Sequence, residues 1–170
     1  MAVPERLTWA VATLDIAPAD HLLEIGCGRG AAVELACARL TEGTITALDR
    51  SPAMAAAAER RNAAHIAAGR AHVRTTSLEE AALPPASFDK VFAVNVNLFW
   101  TRSPHRELAL IREALKPDGS LHLFYEPPTS VEALAEKVTT SLTANGFRTK
   151  TTIPEHERPL LHVTGRPDRL

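Results

Sequence analysis

An apolar run, Leu22-Leu23-Glu24-Ile25, ends directly in Gly26-Cys27-Gly28-Arg29-Gly30, and an alanine-rich helical pattern begins at once. Three of the chain's eight glycines fall within these five residues. Glycine accepts φ > 0 and has no Cβ, so such a loop turns sharply and lets a ligand lie against bare backbone. The N–H groups that open the next helix then face that ligand. A second apolar stretch, Thr44-Ile45-Thr46-Ala47-Leu48, follows. Asp49 ends it, about twenty residues after the glycines, where a carboxylate accepts hydrogen bonds from ribose hydroxyls. Strand, turn, helix, strand and acid in this order predict an α/β sheet that binds a nucleoside-containing cofactor. A tight turn with no ligand is the alternative for the glycines taken alone.

The totals narrow the choice further. A length of 170 residues suits one domain, 1–170, with residues 1–18 as an N-terminal helix and turn and 165–170 as a loose tail. A net charge of −1 advertises no nucleic acid partner. No long apolar run follows Met1, so neither a signal peptide nor a membrane span is expected. The two cysteines, Cys27 and Cys37, have no metal-site spacing and are too few for a disulfide framework. A reduced, cytoplasmic protein is the reading, as monomer or homodimer.

The spacing G-x-G-x-G differs from the G-x-G-x-x-G of NAD and FAD domains. With an acid after the second strand, E-I-G-C-G-R-G resembles the first motif of class I S-adenosylmethionine-dependent methyltransferases. Asp49-Arg50-Ser51-Pro52-Ala53-Met54 is similar to that family's D-x-S-P-x-M. Leu83-Pro84 followed by Phe88-Asp89-Lys90-Val91 resembles its lead into the fourth strand, and Leu115-Lys116-Pro117-Asp118-Gly119 its K-P-G-G block before the fifth. The resemblance covers residues 5–164. It implies a three-layer Rossmann-like fold: a mostly parallel seven-stranded sheet, a C-terminal antiparallel strand pair, and helices on both faces.

The resemblance also implies roles. Glu24 would hold the loop, and Gly26, Cys27, Gly28 and Gly30 would cradle the cofactor. Asp49 would hold the ribose diol, with Arg50 beside it. Met54 would approach adenine or ribose, or else pack in the core. Where the family often has G-D-A, this chain has Thr76-Ser77-Leu78. Ser77 can accept the adenine hydrogen bond without a carboxylate's charge, and Leu78 can supply a backbone N–H. Cys27 needs no explanation beyond small size, because no partner histidine is identifiable.

Periodicity places helices at about 4–16, 31–40, 52–68, 103–115 and 130–145. Strands are expected at 21–25, 44–48, 71–76, 91–96, 120–125, 147–153 and 160–164. At the end of the fourth stand Asn95, Val96 and Asn97. Asn95 and Val96 would meet the methionine part of the cofactor, and Asn97 the acceptor. Trp100 and Tyr125 would line the acceptor side. Trp9 would join them from the first helix, or pack as an ordinary aromatic.

Methyl transfer from a sulfonium is an in-line displacement, so the protein mainly positions the acceptor. Weak candidates for a base are Tyr125, Glu126 and His105; each has an inert reading as packing, solvated acid or first-turn residue. The remaining histidines form no ligand motif, so no metal is expected. The reading is a methyltransferase acting on a small-molecule acceptor with S-adenosylmethionine as cofactor. A cofactor-binding module without transfer activity, regulatory or part of a heteromer, is the alternative. A nicotinamide oxidoreductase is disfavoured by the loop spacing.

Overall fold

The computed structural model describes residues 2–169. Seven strands form one sheet: β1 (His21–Ile25), β2 (Thr44–Asp49), β3 (Ala71–Thr75), β4 (Phe88–Val94), β5 (Leu115–Tyr125), β6 (Phe147–Thr152) and β7 (Leu161–Pro167). The helices are α1 (Glu5–Thr13), α2 (Ala31–Cys37), α3 (Pro52–Arg61), α4 (Ala63–Ala67), α5 (Leu98–Thr101), α6 (His105–Ala114) and α7 (Val131–Ala144). A 3-10 turn covers Leu78–Glu80.

The sheet order is β3-β2-β1-β4-β5-β7-β6. The first five strands run parallel, and β7 is antiparallel to both β5 and β6. Strands covered on both faces are near-continuously apolar, and β1 after His21 is buried throughout, with Glu24 its one polar member. Leu22, Ile45, Phe92 and Phe124 pack with α1 and α2 on one face. Leu23, Val91, Leu121 and Leu123 pack with α6 and α7 on the other. The strand order reverses between β1 and β4, and ligands bind outside the carboxyl ends of such strands.

Four expectations need correction. The helix expected over 52–68 breaks at Asn62, whose φ is −104°. The side chain of Asn62 is fully buried and donates to the carbonyls of Gly30 (3.0 Å) and Ala58 (2.9 Å). That bond serves the glycine loop rather than the helix.

The fourth strand stops at Val94, because Asn95 adopts φ +55° and cannot continue a ladder. The fifth strand begins at Leu115 rather than Ser120. Leu115 pairs with Phe88 and Ser120 with Lys90, so the K-P-D-G residues bulge out of the ladder. Asp89 anchors this bulge, accepting from the His21 N–H (2.7 Å) and Lys116 Nζ (2.9 Å). The tail expected from Gly165 is strand as far as Pro167, since Arg166 and Pro167 pair with Arg148 and Phe147. Leu170 lies outside the described residues.

Asn62→Ala removes two buried hydrogen bonds, while the Gly30 and Ala58 carbonyls keep the backbone N–H groups of Glu34 (3.2 Å) and residue 62 (3.0 Å), so the loss is about 1–2 kcal/mol. Urea unfolding should show that loss. An unchanged midpoint would mean that other contacts hold the loop.

Candidate functional site

The glycine loop leaves β1 in left-handed backbone. Gly26, Gly28 and Gly30 have φ of +71°, +53° and +80°. A Cβ on Gly26 would stand 2.8 Å from Val96 Cγ2 on the opposite wall, and one on Gly30 would stand 2.6 Å from Asn62 Nδ2. Two different constraints therefore act on this loop: Gly26 keeps a cleft open, and Gly30 lets α2 and α3 approach.

The carboxylate of Asp49, at the end of β2, joins the loop to the next helix. Its Oδ2 accepts from the Gly28 N–H (2.8 Å) and its Oδ1 from the Ser51 N–H (2.9 Å). An ionised carboxylate has about four lone-pair sites, so it retains capacity for ribose hydroxyls. Ser51 in turn caps α3, accepting from the Met54 N–H (3.3 Å).

Glu24 lies beneath this corner, 2% exposed, and its Oε2 has no partner. Burial first, then the neighbouring Asp49, pushes its carboxyl up to about 8. Two carboxyl groups thus share one corner, and Glu24 keeps its proton at neutral pH. The thiol of Cys27 is also pushed far up, by burial and then by Glu24 and Asp49, and it points at the Gly28 carbonyl. It is no nucleophile, in keeping with the reading of Cys27 as a small residue.

A cleft of about 600 Å³ opens at the carboxyl ends of β1, β2 and β4. It is lined by Gly26, Asp49, Arg50, Ser77, Leu78, Asn95, Val96 and Asn97, all singled out above. Glu24, Cys27, Gly28, Gly30 and Met54 do not line it; the first four form its underlying support. Ser77 Oγ is buried without a partner. A hydroxyl left so has an unmet hydrogen bond. The Gly26 cradle, the Asp49 carboxylate and this hydroxyl fit the nucleoside end of S-adenosylmethionine.

A second cavity of about 350 Å³ shares Asn95 and Asn97 with the cleft. Tyr125, Glu126, Trp100, Pro127 and Leu134 line it. Two hydrogen bonds fix the wall between the two spaces. Tyr125 Oη donates to the Val96 carbonyl (3.0 Å), and the Glu126 N–H donates to Asn95 Oδ1 (2.8 Å). Burial pushes the Tyr125 phenol well above its ordinary range. Glu126 accepts from Arg158 (3.2 Å).

Two expected participants lie elsewhere. His105 contacts Asn145 Oδ1 (3.2 Å) at the start of α6. Trp9 packs edge-on against Phe124, with ring centroids 5.3 Å apart, and lines neither space. Among the described residues, no three or more His, Cys, Asp or Glu side chains converge as a metal-binding group.

Sequence reasoning missed several wall residues. Thr101 and Arg102 reach the cleft from α5, and Glu79 from the 3-10 turn, where Arg102 approaches it at 3.9 Å. A helix of four residues leaves no periodic signal, so α5 was not legible. Asn62 had a signal, a lone amide in an alanine helix, but its partner Gly30 lies 32 residues away.

Comparison with known proteins agrees with this geometry. Residues 22–119 match a family model described as "Methyltransferase domain". The chain belongs to that family, the class I methyltransferases with a Rossmann-like fold. A malonyl-[acyl-carrier protein] O-methyltransferase from Paenibacillus sp. (strain JDR-2) is 35% identical over 104 residues, 59% of this chain and 36% of that protein. The chain thus spans about a third of that relative. An uncharacterized methyltransferase, YdaC, from Bacillus subtilis (strain 168) is 26% identical over 145 residues, covering 82% and 77% of the two chains. In three dimensions, a SAM-dependent methyltransferase from Aquifex aeolicus superposes with a TM-score of 0.78 at 15% identity, covering 96% of this chain and 93% of its own.

The buried Glu24 generates a pH prediction. Its carboxyl titrates near 4.5 ordinarily and at about 8 in the fold. Between these values the folded state binds more protons than the unfolded one, so this contribution to stability declines as pH rises and levels off above about 8. Glu24→Gln should flatten that decline, read as urea midpoints from pH 5 to pH 8.5 (roughly the window of the shift). An identical slope in the variant would place the effect on other groups.

Proposed function

We propose that the chain binds S-adenosylmethionine in the 600 Å³ cleft and passes its methyl group to a small molecule in the adjoining 350 Å³ cavity. The observation that carries this reading is the Asp49 carboxylate, held by the glycine loop at the switch point and still able to accept from a ribose. When bound, the cofactor supplies an electrophilic methyl carbon on a sulfonium.

The chain's own residues would do the rest. Gly26 gives backbone access and Ser77 Oγ accepts at the adenine edge, with Arg50 and Leu78 alongside. Asn95, Val96 and Asn97 form the partition through which the acceptor must reach. Holding two reactants in line across a fixed wall is where an enzyme of this kind gains most. Tyr125 is an unsuitable base, since it donates to Val96 and is pushed upward. Glu126 is turned to Arg158. This favours an acceptor that arrives already deprotonated, such as a carboxylate or thiolate. The same engaged groups favour a second reading: a cofactor-binding module whose transfer activity needs a partner.

Isothermal titration calorimetry with S-adenosylmethionine and its demethylated product tests the proposal, with NADH as control. Micromolar binding of the first two, weakened at least about tenfold by Asp49→Asn, is expected. Binding of neither to folded protein would end the cofactor assignment.

A further inference from the structure

Beyond the transfer wall, the 350 Å³ cavity continues into a surface groove. Trp100, Ala133 and Lys137 line both spaces. The cavity therefore has two distinct ends. Asn95 and Asn97 stand at the end shared with the cleft, and Trp100 and Lys137 at the far end. Between them the wall is largely apolar, formed by Pro127, Leu134 and the Tyr125 ring.

The far end is rich in donors that lack acceptors. Lys137 makes no ion pair among the described residues. Its ammonium lies 5.5 Å from the centroid of the Trp100 ring, a cation–π contact that biases this exposed side chain toward the groove. Trp100 Nε1 and Ser141 Oγ are both buried without partners, and both residues line the groove with Lys137. Two carboxylates share these spaces: Glu136, exposed on the next position of α7, and Glu126 in the cavity, which Arg158 neutralises at 3.2 Å; Arg102 on the groove wall is paired with Glu107. Lys137 and Trp100 border the apolar slot, with Ser141 in the groove beyond it, and unmet donors at the end of an apolar slot call for an oxygen-bearing anion on an apolar body.

Resting on the methyl-transfer reading, we infer that the acceptor is a small carboxylic acid. Its carboxylate binds Lys137 beside Trp100, and its apolar body lies along Pro127 and Leu134. A second, already deprotonated nucleophile on the same molecule, such as a thiolate or a second carboxylate, would point at Asn95 and Asn97, where its bond to the methyl carbon would form as the methyl–sulfur bond breaks, leaving S-adenosylhomocysteine as the neutral thioether product. Lys137 is then a specificity-determining residue and Trp100 a positioning residue.

The test uses full-length protein saturated with S-adenosylhomocysteine. Benzoate, phenylacetate and hydrocinnamate are each titrated against the matching primary amide. At least one acid should bind about tenfold or more tighter than its amide, since a charge-assisted hydrogen bond is lost in the amide. Lys137→Met should erase the preference and Lys137→Arg retain it. Lys137 is exposed, so both variants should fold, and their affinity for S-adenosylhomocysteine should match wild type. Equal binding of acids and amides, or a preference that survives Lys137→Met, overturns the inference while leaving the cofactor site intact. Loss of S-adenosylhomocysteine binding with the acid preference preserved would overturn the methyl-transfer reading and support the anion site.

Discussion

The carboxylate of Asp49 does two jobs at one place. It accepts N–H groups from Gly28 and Ser51, and so ties the glycine loop of β1 to the cap of α3 across the end of β2. The loop could not hold its left-handed turns on apolar packing alone, because glycines bring no side chains to bury. Burial first, and then the neighbouring Asp49 carboxylate, disfavours the Glu24 anion. Glu24 therefore stays protonated while Asp49 keeps its bonds to the backbone. The corner carries less negative charge than its two acids suggest. This is why an unpartnered Oε2 is tolerable inside the fold: a neutral carboxyl is far cheaper to bury than an anion.

The strands were legible because parallel strands covered on both faces must be apolar along their length. Leu22–Ile25, Glu24 apart, and Val91–Val94 show this; β1 lies at the expected residues, whereas β4 runs from Phe88 to Val94 rather than over 91–96. Their ends were less legible. Val96 and Asn97 continue the apolar-polar rhythm of β4, yet Asn95 takes φ +55° and turns the chain into α5. What stops the strand is the bond from the Glu126 N–H to the Asn95 side chain, a contact between positions 31 apart. Likewise Ala53 to Ala68 reads as one helix by propensity, and only the demand of the Gly30 carbonyl puts a break at Asn62. Local pattern decides where elements run; long-range polar contacts decide where they end.

The candidate site divides in the same way. Of the residues that line the cleft, Gly26 and Asp49 lie in motifs that resemble the family's, Ser77 stands where such a motif departs from it, and Asn95 showed as a polar amide at the end of an apolar strand. Arg102 and Lys137 carried no such signal, since each is a surface-type residue on a helix. Lys137 acquires its meaning only from Trp100, which sits beneath its ammonium on a helix too short to be read from periodicity. Trp9 shows the opposite error. An aromatic near the expected mouth invites a substrate role, but Phe124 offers its ring from β5 and edge-on packing takes it.

Rigidity of the shared wall follows from where its bonds anchor. Tyr125 Oη holds the Val96 carbonyl from β5, and the Glu126 N–H holds Asn95 from the loop after β5. Both ties join the segment just after β4 to the end of β5, its sheet neighbour, and so anchor the wall to the centre of the sheet. Alignment across such a wall does not depend on a closing lid. Phe124 and Leu123 next to Tyr125 are fully buried, which fixes the base of its side chain on both faces. A tyrosine pinned at both ends is poorly suited to shuttling protons and well suited to holding a partition. On the proposed function, the chemistry left to this chain would be that of geometry: keeping two bound molecules at a fixed approach, with the charge discrimination inferred for Lys137 placed at the far end, away from the alignment.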